Sequence, residues 1–454
     1  MLNRALLERY RCAENLADFS LCGELSPEAG YFKFGSSAIC YGQSTVGTRS
    51  REMGAKLHDT STDVRISDSH VGLPIDPNDV IDNMRLERYA ADHNLNGTQP
   101  LPRKALRFAY YSLRPLFPVP VRRQIQKVYL RGWDRRPFPH WPVDTTVENV
   151  LEQCLAAGMK AQGLTEVPFV WFWPEGKFGC ALMTHDVETT LGRDFCSTLM
   201  DVNDEYGMKA SFQVVPEKRY EVPESYLSSL RDRGFEIAVQ DLNHDGHLYS
   251  RRDEFLRRAA LIRKYSKQYG ATGFRAAILY RNLDWLPELD FSYDMSVPNV
   301  AHLDPQSGGC CTVFPYFIGR TLEIPVTTTQ DYSLFHIIGE YTLDLWKKQA
   351  GLILGKHGLM NFIVHPDYIV DEKPLQTYRN LLAYLCELRA KQNVWIPLPH
   401  EVDEWWRARS QMQLVDEDGT LRITGAGSER ARVAYARLEN GQLTYSFDGR
   451  RATQ

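Results

Sequence analysis

The sequence predicts an α/β fold: a (β/α) barrel of about seven strands over residues 167–410, with a mixed, partly helical N-terminal region before it and a small β appendage after it. Three observations carry this prediction. Short apolar runs alternate from about Val167 onward with longer segments of helical periodicity. The alternation repeats seven or eight times, so the strands are expected to be parallel, and that many in about 230 residues favour closure over an open doubly wound sheet. Ionisable residues recur where the apolar runs stop, the rim at which a parallel barrel gathers its reactive groups.

Taken in order, "MLNRALLERYRCAENL" reads as a polar helix, because Arg4, Glu8, Arg9 and Arg11 interrupt any signal-peptide core. Residues 1–100 are otherwise short apolar runs broken by Gly, Asp, Asn and Ser, with an Asp/Asn-capped helix expected from about Pro77 to Ala91. Residues 101–166 read as a basic helical arm and linker. Within 101–136 ten Lys and Arg face the single acid Asp134, interleaved with aromatic and aliphatic residues. The arm suits first a two-helix brace packed on the main domain with its arginines in water, and second an amphipathic pair lying on an anionic membrane surface or an acidic glycan. The prolines of "RRPFPHWPVD" close it with an extended connector.

The expected barrel strands are "GCALMT", "ASFQVV", "FEIAV", "GFRAA", "FSYDMSV", "LEIPVT", "MNFIVH" and "NVWIPL". Between them "RRDEFLRRAALIRKYSKQYG" and "KPLQTYRNLLAYLCELRAKQ" have helical spacing. After Trp405 and Trp406, residues 411–454 alternate around the turn "ENGQ" and form the appendage.

With 43% hydrophobic and 24% charged residues among 454, the composition is that of an ordinary globular protein large enough for more than one domain. A net charge of -4 gives no global field for nucleic acid, and no such partner is expected. Nine cysteines without a CxxC spacing argue against a disulfide framework and a zinc ribbon. A cytoplasmic setting, peripheral to a membrane if the arm meets one, is the corresponding expectation.

The rim candidates are Asp186 and Glu188 after the first strand, His244 after the third, Arg275 and Asp294 at two further strand ends, and His365 and Asp367 after "MNFIV". Carboxylates and imidazoles together suit a divalent metal. A spare carboxylate can deprotonate water, and a charged imidazole can protonate a leaving group. An arginine beside the carboxylate would hold it ionised. Asp331, past another strand, either joins this group or caps a turn.

"THDVE", "EIAVQDLNHDGH", "GFRAAILYRN", "FSYDMSVPN" and "FIVHPDY" resemble, in order and approximate spacing, the five motifs of the polysaccharide deacetylases, the NodB-homology or carbohydrate esterase family 4 proteins. The resemblance covers about Lys177 to His400. It implies an irregular (β/α) barrel, hydrolysis of N- or O-acetyl groups on a sugar or polysaccharide precursor, and a divalent metal, zinc or else cobalt or nickel. By position it implies Asp186 as catalytic base, Arg275 as the arginine orienting it, His365 as general acid, His244 as a metal histidine and Asp294 as a supporting residue.

Two positions depart from the family. Its metal aspartate corresponds to Val187, for which Glu188 could substitute, and its other metal histidine corresponds to Gln240, a poor zinc ligand beside imidazole. A helix opening at Asn243 would place His247 on the face of His244, giving a remodelled metal set of Glu188, His244 and His247, with Gln240, Asp294 and Asp367 binding substrate or supporting the rim. Two rivals remain: a non-catalytic carbohydrate-binding or assembly protein with a degenerate barrel, and a hydrolase of non-sugar amides on the same fold.

Overall fold

The parallel alternation is realised as one curled sheet of eight strands. The computed structural model describes residues 2–13, 16–36, 38–47, 50, 53, 56–90, 124, 125, 127, 128 and 130–447. In chain order the sheet contains β1 Cys180–Val187, β2 Ser211–Val214, β3 Glu236–Gln240, β4 Gly273–Arg275, β5 Tyr293–Asp294, β6 Tyr316–Ile318, β7 Thr321–Glu323 and β8 Leu359–Ile363. Their spatial order is β6-β7-β5-β4-β3-β2-β1-β8. Every neighbouring pair is parallel except β6 with β7. All eight residues of β1 are buried, as in a strand covered on both faces.

The barrel is irregular because its ladder stops at one seam. Pro325, just beyond β7, has no N–H to donate, and side chains replace the missing rungs. Thr327 Oγ1 donates to the Leu359 carbonyl at 2.6 Å and Thr328 Oγ1 to that of Asn361 at 2.8 Å. Asn361 Nδ2 returns bonds to the carbonyls of Ile324 and Pro325, both at 3.3 Å. Two expectations change in detail. "NVWIPL" supplies only a single bridge, Trp395 beside Cys180, where β1 extends past the start of β2. Conversely β6 is an extra antiparallel strand, folded back through Gly319 at φ +60.

The helices obey their local signals. Thr189 caps Thr190–Glu205, its side chain accepting from Gly192 N at 3.1 Å. Arg252–Tyr269 ends on left-handed Gly270, and Glu372–Gln392 on left-handed Asn393. The helix expected from Pro77 spans Pro77–Arg85, capped by Asp76. The N-terminal region adds the three-stranded sheet of Asp18–Leu21, Arg65–Ser67 and His70–Leu73. The basic arm expected at 101–136 lies almost wholly outside the described residues.

One apolar cluster runs from Ala5 to Ala436 through all these parts. The long helix Thr146–Ala161 packs against the N-terminal elements, and Val433–Glu439 pairs with both Glu166–Val170 and Gln442–Ser446. The C-terminal strands are thus joined edge to edge with a strand that precedes the barrel. Among the described residues no helix is long and apolar enough to cross a membrane.

Candidate functional site

The period-2 alternation of β1 decides which of its polar residues reach the rim. Thr184 and Asp186 share one face, since Arg275 Nη1 donates to Thr184 Oγ1 at 2.9 Å and to Asp186 Oδ1 at 2.5 Å. His185 lies on the other face. Its Nδ1 meets the Val364 carbonyl at 3.0 Å and its Nε2 lies 3.3 Å from both Asn203 and Tyr378. Burial pushes His185 down to about 3, so it is a neutral packing residue. Val187 is fully buried, and Glu188 returns to the face of Asp186.

Four strand ends meet there. Gln240, the last residue of β3, is the register partner of Arg275, the last of β4. Its Nε2 donates to Asp186 Oδ2 and to Glu188 Oε1, both at 3.1 Å. The fully buried Arg275 also donates from Nε to the Met295 carbonyl at 3.0 Å, which fixes the guanidinium against Asp186. Glu188 Oε1 lies 2.7 Å from His244 Nε2 and 3.5 Å from His365 Nε2. Burial would lift the Glu188 carboxyl, but the charges and hydrogen bonds of His244 and His365 hold it well below the usual range.

His365 is fixed from behind by Asp331. The fully buried carboxylate accepts from His365 Nδ1 at 2.6 Å and from its backbone N at 2.7 Å. Burial works to lower the imidazole; the charge and hydrogen bond of Asp331, followed by those of Glu188, overcome it and hold the ring well above its ordinary value. The Tyr368 ring lies 4.7 Å from the His365 ring. Asp331 thus joins the site, and the signal for it in the sequence is its place eight residues past the end of β7.

Asp186, Glu188, Gln240, His244, Arg275 and His365 therefore converge. Asp294 stands one layer beneath: it accepts from Ser296 Oγ at 2.7 Å and faces Glu323, its register partner. Burial and then the neighbouring Asp294 charge push Glu323 well above the carboxylate range, so this pair keeps a proton. Asp367 is half-buried beside Thr189, and burial raises its carboxyl.

His247 is not brought to the cluster. The helix that would have carried it starts only at Arg252, because Asp241, His244 and Gly246 all take positive φ and turn the chain tightly. His247 is left exposed with its Nδ1 3.4 Å from Ser250 Oγ. The set Glu188, His244 and His247 is therefore not assembled.

The residues present fit a divalent cation. One donor atom each from Asp186, Glu188 and His365 lie within 4.8 Å of one another. The buried His244 Nδ1 and Gln240 Oε1 have no hydrogen-bond partner, which leaves further donor capacity at the cluster. Carboxylate oxygens and imidazole nitrogens suit zinc and its neighbours.

The fold and rim define a class, an irregular (β/α) barrel with a carboxylate–imidazole site at its strand ends. Solved structures similar to this chain include a Mycobacterium smegmatis protein assigned as a polysaccharide deacetylase, 18% identical over 56% of this chain and 98% of its own, with a TM-score of 0.44. Another is PuuE allantoinase, 13% identical over 52% of this chain and 92% of its own, TM-score 0.41. A third is a family 4 acetyl xylan esterase from Clostridium thermocellum in complex with a cobalt ion, 15% identical over 50% and 91%, TM-score 0.32. No family model and no curated protein matches the sequence.

Proposed function

We propose that the chain is a metal-dependent hydrolase that removes an acetyl group from an N- or O-acetylated sugar or polysaccharide precursor. The observation that carries the reading is the convergence on one rim of Asp186 held by Arg275, Glu188 with His244, and His365 backed by Asp331. The five-motif resemblance supplies the substrate class.

Asp186 takes the proton of the attacking water, and Arg275 keeps it aimed. His365, holding its proton through Asp331, delivers it to the departing sugar nitrogen or oxygen. With the His365 ring spent on its proton, Asp186 and Glu188 would hold the cation, His244 lying beside Glu188. When bound, the ion acts as a Lewis acid on the acetyl carbonyl, and zinc, cobalt or nickel suits this donor set.

The test is acetate release from a panel of acetylated sugars by the full chain, with and without added zinc, cobalt or nickel. Asp186→Asn is expected to lower turnover by at least about 100-fold with folding intact. Unchanged turnover would refute the base. One observation favours a second reading, a non-catalytic carbohydrate-binding barrel: Gln240 bridges both carboxylates where an imidazole would serve a metal. Metal analysis separates the two, since the enzyme is expected to retain nearly one equivalent and the binding protein none.

A further inference from the structure

A polar cavity lies at the end of the barrel opposite the rim. It measures about 800 Å³ and is lined by seven arginines and two acids. The turn of Gly319 and Arg320 on its wall precedes β7, and Arg407 beside it donates to the carbonyl of Ser292, just before β5. Both mark the amino ends of strands, whereas Asp186, Arg275 and His365 stand at carboxyl ends.

Part of the positive charge is already matched. Arg4 pairs with Asp82 at 2.8 Å and Arg407 with Asp403 at 2.8 Å. The rest is not. Arg9 is 5% exposed, lies over the rings of Phe314 and Phe172 at 3.3 and 4.1 Å, and its Nε and Nη1 are buried without a hydrogen-bond partner. The Nε of Arg85 is likewise buried and unpartnered. Arg409 spends its Nε and Nη2 on the carbonyls of Trp171, Arg9 and Val170. Burial, then the charges of Arg9 and Arg11, depress Arg409 well below the arginine range. A guanidinium does not give up its proton in a protein, so Arg409 stays charged despite its burial and its two like-charged neighbours. Buried Glu148 is the acid behind Arg9 and Arg85, and Thr312 already donates to it.

Unpaired buried donors cost free energy that a multivalent anion would return, and planar guanidiniums suit phosphoryl oxygens. We propose that this cavity is a binding site for a soluble diphosphate-class ligand, separate from the rim and independent of the reaction performed there.

Calorimetric titration of the full chain with inorganic pyrophosphate in 0.15 M NaCl tests it. Saturable binding tighter than about 1 mM is expected, weakening as salt rises. Arg85→Gln should weaken it about tenfold, and Arg320→Gln, whose side chain is 93% exposed and whose loss leaves the fold alone, about threefold. Asp186→Asn should leave it unchanged, which separates the site from the rim. No saturable heat, binding abolished by Asp186→Asn, equal affinity in both arginine variants, or sedimentation with phosphatidylglycerol vesicles without pyrophosphate binding would each overturn the proposal.

Discussion

On a strand, the residue after a rim-facing carboxylate points to the opposite side, and this rule explains the least familiar feature of "THDVE". Val187 completes the packed face while Glu188, two residues past Asp186, supplies the second carboxylate. The proton on His365 depends on Asp331. Asp331→Asn is expected to lower turnover about 100-fold with little change in KM and to move the alkaline limb of the pH–rate profile to lower pH, because the imidazolium loses its buried counter-charge. A unchanged limb would make Asp331 a purely structural residue. His302 gives a separate pH signature. Burial, then the Arg136 charge, pushes it down to about 4. The fold thus holds it neutral, while the unfolded chain takes up a proton near pH 6.5. Its stabilisation is complete above that pH and is lost as pH falls toward 4, on the order of 3 kcal/mol. His302→Phe, which keeps a ring stacked on Trp141, should flatten denaturant-measured stability across that window.

At the scale of elements, the seam between the end of β7 and β8 is the weak line of the barrel, since side chains stand in for ladder bonds there. Asn361→Ala removes the donor to two buried carbonyls and is expected to cost about 2 kcal/mol, read as a lower urea midpoint at unchanged slope. The helices tell the opposite story: Thr189, Asp76 and Gly270 act where local chemistry puts them. What locality missed was β6, a three-residue strand whose pairing depends on a fold-back at Gly319. It also promoted "NVWIPL" to a strand, although only Trp395 finds a partner.

For the whole molecule, the N-terminal region is tied to the barrel by a buried ion pair between Glu87 and Arg281 and by the Tyr89 hydroxyl, which donates to the Gly309 carbonyl at 2.6 Å. Removing one partner strands the other charge in the interior, so Glu87→Gln is expected to cost about 3–5 kcal/mol. Replacing both, as Glu87→Leu with Arg281→Met, should cost less than Glu87→Gln alone in the same unfolding measurement. A double variant as unstable as the sum of the singles would mean that the two side chains stabilise the junction independently.

The order of strands and helices and the residues at each strand end were legible in the sequence, because period and caps are local properties. The sequence also pointed to Asp186, Glu188, His244, Arg275 and His365 as one group. That His247 stays outside this group was not legible. His247 has the right spacing only on a helix, and three positive φ angles replace that helix with a tight loop; Asp331 has an unremarkable local context and acquires its place only when the chain after β7 is laid beside β8. Periodicity is written residue by residue, whereas the meeting of side chains from distant strands depends on how the sheet curls and where its seam closes, and that was decided by the tertiary structure alone.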